Sequence, residues 1–184
     1  LGLPKDKRII LYAPTWRDNE FYGNGIYKFN TGMDFSLLME ELKDDTVFIV
    51  KYHYLIKDNI DWSPYEGFIY TFDIDFDISL LYLVSDMLVT DYSSVMFDYS
   101  ILRRPMLFYC YDLNEYKDIL RGFYFDLITE APGPVVTTTR KLIQSIKEYD
   151  YKMYENKYDA FVAKYNHADD GNASARIIEI ITKL

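Results

Sequence analysis

Cysteine occurs once in the 184 residues, as Cys110, and histidine twice, as His53 and His167. A single thiol excludes an internal disulfide and any cysteine-based zinc cluster. Its setting in the apolar run Met106-Leu107-Phe108-Tyr109-Cys110 predicts a buried thiol. Two histidines without a nearby carboxylate pattern supply no zinc motif. Positive charge is also short: 20 Lys and Arg face 29 Asp and Glu, a net charge of −9. The surface as a whole is therefore no electrostatic glove for nucleic acid, and an anionic ligand needs donors concentrated locally. Glycine numbers only 8, with neither Gly-x-Gly-x-x-Gly nor a Walker sequence, which argues against dinucleotide and P-loop ATPase readings. No apolar stretch approaches the roughly 18–20 residues of a membrane span, and no signal-peptide pattern opens the chain. The first residue is Leu1 rather than Met, the expectation for a piece of a longer protein.

What is plentiful is apolar and aromatic. Hydrophobic residues make up 49% and aromatics 18%, with 19 Tyr and 12 Phe. This is a globular composition, and the length suits one domain with a real core. Tyrosine suits ligand walls and interfaces, and equally an amphipathic core. Strand-like and helix-like blocks alternate. Arg8 to Tyr12, Val47 to Val50, Phe68 to Tyr70, Met87 to Val89 and Met106 to Tyr109 read as strands. Asp34 to Leu42, Asp77 to Val84 and Ser94 to Leu102 read as helices, the last stopped by Arg103-Arg104-Pro105. A long polar loop with Gly23-Asn24-Gly25 follows the first strand. From Thr138 onward the chain reads as helical, with a turn at His167 to Asn172. Short strands that are apolar on both sides predict an α/β fold, a parallel sheet wrapped by helices, as one domain over residues 1–184.

In such sheets ligands sit outside the carboxyl ends of the strands. That rule singles out Thr15 to Asp18, His53, Thr90 to Ser94, and the loop from Tyr111 to Tyr124. Thr90-Asp91-Tyr92-Ser93-Ser94 closes a strand and opens a helix, where free N–H groups and hydroxyls make a ready anion site. Plain helix capping by Asp91 or Ser93 explains the same residues. Asp98, four residues after Ser94, can share its helical face and accept from ribose hydroxyls, or be a solvated helix carboxylate. Arg17 offers a fork for phosphate oxygens or a partner for its neighbour Asp18. Lys51 and His53 lie on alternate residues of a strand end, and His is the side chain poised to move a proton near neutral pH. A structural histidine is the alternative.

In order along the chain come Tyr12-Ala13-Pro14-Thr15-Trp16-Arg17, Lys51-Tyr52-His53, Ser85-Asp86, Thr90 to Ser94 and Phe97-Asp98. Arg104-Pro105, Arg121-Gly122-Phe123-Tyr124, Gly133-Pro134 and Asp169-Asp170-Gly171-Asn172-Ala173-Ser174 follow. This ordered set resembles the CDP-glycerol glycerophosphotransferase family of teichoic-acid polymerases and primases over nearly the whole chain. The resemblance implies a Rossmann-like donor-nucleotide-binding domain, the C-terminal half of a two-domain GT-B architecture. It implies transfer of glycerol phosphate from CDP-glycerol to a hydroxyl of a teichoic-acid acceptor, with release of CMP. It further implies His53 as the catalytic residue, with Thr15, Arg17, Lys51, Thr90, Ser93, Ser94, Asp98 and Arg121 around the donor. No cofactor, metal or nucleic acid is implied. An N-terminal domain of the same enzyme is implied as partner, at the cytoplasmic face of the membrane, with any membrane contact made by parts outside this chain. The family often has Pro after this histidine, where Tyr54 stands here. CDP-ribitol or a nucleotide sugar as donor, or a non-catalytic binding module, are the competing expectations.

Overall fold

The computed structural model describes residues 1–15, 17, 21–23, 26–27, 32–52, 60–115 and 125–183. His53, Tyr54, Asp18 and Arg121 lie outside these residues. The chain runs through β1 (Arg8–Tyr12), β2 (Phe21–Gly23), β3 (Ile26–Tyr27), α1 (Phe35–Leu42), β4 (Thr46–Val50), β5 (Ile69–Thr71) and α2 (Ile78–Val84). It continues through β6 (Met87–Thr90), α3 (Val95–Ser100), β7 (Met106–Tyr109), α4 (Leu113–Glu115), α5 (Leu127–Glu130) and β8 (Val135–Val136). Three helices close it: α6 (Thr139–Lys147), α7 (Tyr151–Tyr165) and α8 (Ala173–Ile181).

Six strands form one parallel sheet in the order β5-β4-β1-β6-β7-β8. Counted among themselves along the chain, these strands lie in the order 3-2-1-4-5-6, the doubly wound Rossmann arrangement. Alternation of side chains divides the core between the two faces. Ile10 and Tyr12 of β1, Phe48 and Val50 of β4, and Leu107 and Tyr109 of β7 pack with Leu38, Leu42, Leu142 and Ile146 of α1 and α6. Leu11, Ile49, Met106 and Phe108 point the other way, toward Leu81, Met96, Tyr99, Tyr158 and Phe161 of α2, α3 and α7. The strands β4, β6 and β7 are thus buried throughout on both faces, which is why they read as unbroken apolar runs.

Local chemistry sets the helix starts. Asp34, Asp77, Asp126, Thr138 and Asp150 each accept from a backbone N–H of the following turn. The last of these corrects the continuous helix expected from Thr138: the chain leaves α6 after Lys147, and Asp150 caps a new helix. The helix expected over Ser94 to Leu102 is shorter, Val95–Ser100. It ends before Arg103, whose φ of 52° is left-handed, and Pro105 follows. The β2–β3 antiparallel pair lies inside what the sequence presents as a polar loop.

Candidate functional site

The direction of winding reverses between β1 and β6, and such switch points are where doubly wound sheets take ligands. Thr15 and Arg17 follow β1 there, Asp91 to Ser94 follow β6, and Tyr111 and Asp112 follow β7 on the next strand over.

Arg17 lies at the centre, only 4% exposed. Its Nε and Nη2 donate to the two oxygens of Asp112 at 2.6 and 3.1 Å. Its Nη1 reaches Asp91 Oδ2 at 2.9 Å and the Thr15 carbonyl at 2.8 Å. The rings of Tyr92 and Tyr111 stand 5.2 and 5.3 Å from the guanidinium carbon. Asp91 is 2% exposed, and its Oδ1 accepts from Thr15 N, Thr15 Oγ1 and Tyr92 N at 2.9, 2.8 and 2.6 Å. Tyr92 Oη donates to Asp112 Oδ1 at 3.1 Å. Burial opposes the charge on Arg17, but Asp91 and Asp112 outweigh it and the guanidinium pKa is raised. Burial pushes the Asp91 carboxyl up, against the pull of Arg17 and the Thr15 donors.

The other expected residues have distinct surroundings. Thr90 is fully buried and its hydroxyl donates to the Ala13 carbonyl at 2.8 Å, tying β6 to the end of β1. Thr15 spends its N–H and hydroxyl on Asp91. Lys51 Nζ donates to the carbonyls of Asp73 and Ile74 at 2.8 and 2.7 Å, fastening the end of β4 to the loop after β5. Desolvation lowers the Lys51 pKa against the nearby Asp75 and Asp73. Ser93 is half-buried and Ser94 exposed at the start of α3, and Ser94 makes no side-chain cap. Asp91 therefore faces Thr15 and Arg17 and does not cap the helix. Asp98 is exposed on α3, and partial burial with nearby Asp169 raises its pKa. The Cys110 thiol is fully buried, and burial raises its pKa.

The sequence offers Arg17 a phosphate or its neighbour Asp18, and marks the loop from Tyr111 to Tyr124 without singling out Asp112 within it. The available signal was its position two residues past a buried thiol at a strand's carboxyl end. Among the described residues no three His, Cys, Asp or Glu side chains converge as a metal site, and no helix is long and apolar enough to cross a membrane.

The teichoic acid poly(glycerol phosphate) polymerase of Bacillus subtilis (strain 168) is 46% identical over 186 residues, covering 100% of this chain and 25% of its own length. The teichoic acid glycerol-phosphate transferase of Staphylococcus aureus (strain NCTC 8325 / PS 47) is 45% identical over 185 residues, covering 100% of this chain and 47% of its own. The solved structure of the wall teichoic acid polymerase TagF matches with a TM-score of 0.85 at 44% identity, covering 99% of this chain and 45% of that one. The chain thus spans from a quarter to about half the length of these relatives. A family model described as CDP-Glycerol:Poly(glycerophosphate) glycerophosphotransferase matches residues 1–183, and the chain belongs to that family.

Proposed function

We propose that this chain binds CDP-glycerol as the donor half of a glycerophosphotransferase. The whole enzyme moves glycerol phosphate onto a hydroxyl of a poly(glycerol phosphate) teichoic-acid acceptor at the cytoplasmic face of the membrane. The observation that carries the reading is a likeness that runs along the whole of this chain and 45% of TagF, one variant of which has been solved after soaking with CDPG. In the reaction the acceptor oxygen bonds to the β-phosphorus of CDP-glycerol while the bond from that phosphorus to the CMP oxygen breaks. The acceptor proton passes to a base, and CMP leaves with the electron pair. Catalysis of this kind rests on positioning and on donors that meet the developing charge.

The start of α3, with Ser93 and Ser94, holds the diphosphate in this reading, and Asp98 accepts from the ribose. In the same reading His53 steadies charge on the reacting phosphate and Arg121 is one of the donor-binding residues. A second domain, supplied by the rest of the enzyme, brings the acceptor and a further histidine. The test is titration of the full-length enzyme with CDP-glycerol, CDP-ribitol and a uridine nucleotide sugar, alongside CMP release. CDP-glycerol should bind most tightly. Ser93→Ala with Ser94→Ala should weaken it by about 1.5–3 kcal/mol for each charge-assisted bond lost. An enzyme that binds no cytidine nucleotide, or a folded double variant of unchanged affinity, overturns the assignment.

A further inference from the structure

The Arg17 fork is the group one would assign to a phosphate, yet the protein has already filled it. A guanidinium has five N–H donors. Three donate to Asp112 and the Thr15 carbonyl, and Nη1 is also ion-paired with Asp91. The bidentate edge, Nε with Nη2, which suits phosphate oxygens best, is the edge that grips Asp112. At 4% exposure the side chain has little surface left to offer a ligand.

The partners come from three neighbouring strands. Thr15 and Arg17 follow β1, Asp91 and Tyr92 follow β6, and Asp112 follows β7, with these strands adjacent in the sheet. Parallel strands end in loops with no hairpin to fix them to one another, so something else must set their spacing at the carboxyl edge. Here Asp91 takes three donors from two loops and a fourth from Arg17. Arg17 carries the connection on to Asp112, and Tyr92 closes the circuit through its hydroxyl.

We propose that Arg17, Asp91 and Asp112 form a buried clamp that fixes the three strand-end loops framing the donor site. In it Arg17 is a positioning residue that acts through these loops and does not itself grip the phosphates. The proposal rests on the donor-binding reading for its functional consequence, though the clamp itself is a property of the fold.

Charge gives the two roles opposite signs. Asp112→Asn removes a negative charge beside an anionic ligand, so electrostatics alone would leave CDP-glycerol binding unchanged or tighter. Loss of positioning weakens it. In the full-length enzyme, Arg17→Lys and Asp112→Asn should each raise the CDP-glycerol Kd about tenfold, and the double variant should be no worse than the worse single, because both break one network. Hydrogen exchange in Asp112→Asn should rise at residues 13–15 and 91–94, on loops that do not carry the substitution, while α6 and α7 stay protected. Tight binding by Asp112→Asn with weak binding by Arg17→Lys, or unchanged exchange on those loops, overturns the clamp. If the wild type binds no CDP-glycerol, the donor reading falls. Exchange then decides the clamp alone: a rise at 13–15 and 91–94 supports it, and no rise overturns it. Should either charge variant fail to fold, Tyr92→Phe removes only the hydroxyl on Asp112. It should give the same exchange pattern with about a threefold loss of affinity, and wild-type exchange in this variant overturns the clamp.

Discussion

Gly133 is a glycine for space and not for backbone freedom, and replacing it tests how tightly the last strand is docked. Its φ lies outside the left-handed region, unlike Gly67 and Gly171 at 76° and 79°. A Cβ at Gly133 would lie 1.8 Å from the Met106 carbonyl oxygen and 2.9 Å from its carbon, against an ordinary contact of about 3.5 Å. Neither atom can swing aside, because Met106 opens β7 and is fully buried between β6 and β8. The strain must therefore move the Gly133 segment and β8 away from the sheet. At risk are the bonds from Phe108 N to the Pro134 carbonyl, 2.9 Å, and from Cys110 N to the Val136 carbonyl, 2.8 Å. Two such bonds contribute about 1 kcal/mol each, and overpacking adds about 1–3 kcal/mol, so Gly133→Ala should cost about 3–5 kcal/mol. At about 2–4 °C per kcal/mol for a domain of this size, the melting temperature should fall by about 6–20 °C. Thermal unfolding followed by circular dichroism reads this directly. Gly67→Ala is the control: no atom lies within 4 Å of its Cβ, so only the left-handed penalty of about 1–2 kcal/mol applies. A Gly133→Ala protein melting within about 2 °C of wild type, or no lower than Gly67→Ala, would refute the argument.

Asn166 is 8% exposed; its amide donates to the Phe97 carbonyl and Asp169, and its oxygen accepts from Ser100. Asn166→Ala should cost about 2 kcal/mol by leaving the Ser100 hydroxyl and the Phe97 carbonyl without this partner, read as a lower urea midpoint with unchanged slope; an unmoved midpoint counts against it. Asp98 has a raised folded pKa from partial burial and from Asp169, so its ionised form destabilises the fold as pH rises through that value. Asp98→Asn should melt higher than wild type at pH 7, and the gain should vanish as pH falls below the ordinary carboxylate value of 3.8. The same variant should bind CDP-glycerol more weakly if Asp98 receives the ribose, and a gain in stability without loss of affinity would remove it from the site.

Five strands of the parallel sheet were legible because burial writes them as apolar runs, as in Met106–Tyr109, whereas the two-residue β8, Val135–Val136, was not. The starts of α1 and α2 were legible because Asp34 and Asp77 are local caps. The β2–β3 pair was not, since Phe21–Gly23 and Ile26–Tyr27 are too short to carry a period. The candidate site divides the same way. Its location follows from strand order and local residue type, and Thr15, Arg17, Thr90, Ser93 and Ser94 do gather at β1 and β6. What each side chain touches does not follow. Arg17 finds Asp112 across 95 residues of chain, and Thr90 turns its hydroxyl back to Ala13, pairings that only the sheet order can create.

If the donor sits at this switch point as proposed, the clamp also accounts for an ion-pair network beneath an anion. Burying a guanidinium and carboxylates carries a desolvation cost that often equals or exceeds the attraction regained, so apolar residues of similar size would hold a fold at least as well. On stability alone, Arg17 and Asp112 are poorly chosen. Apolar contacts, however, are non-directional and leave loops free to slide by fractions of an ångström. The hydrogen bonds from Arg17 and Thr15 to Asp91 and Asp112 admit one arrangement. Phosphoryl transfer is sensitive to small errors of placement. Asp91, moreover, turns its charge onto Thr15, Tyr92 and Arg17, donors within the protein that balance it before a ligand arrives. The network is therefore weak evidence for stability and good evidence for geometry, and melting temperatures of its variants will understate what they do to donor binding.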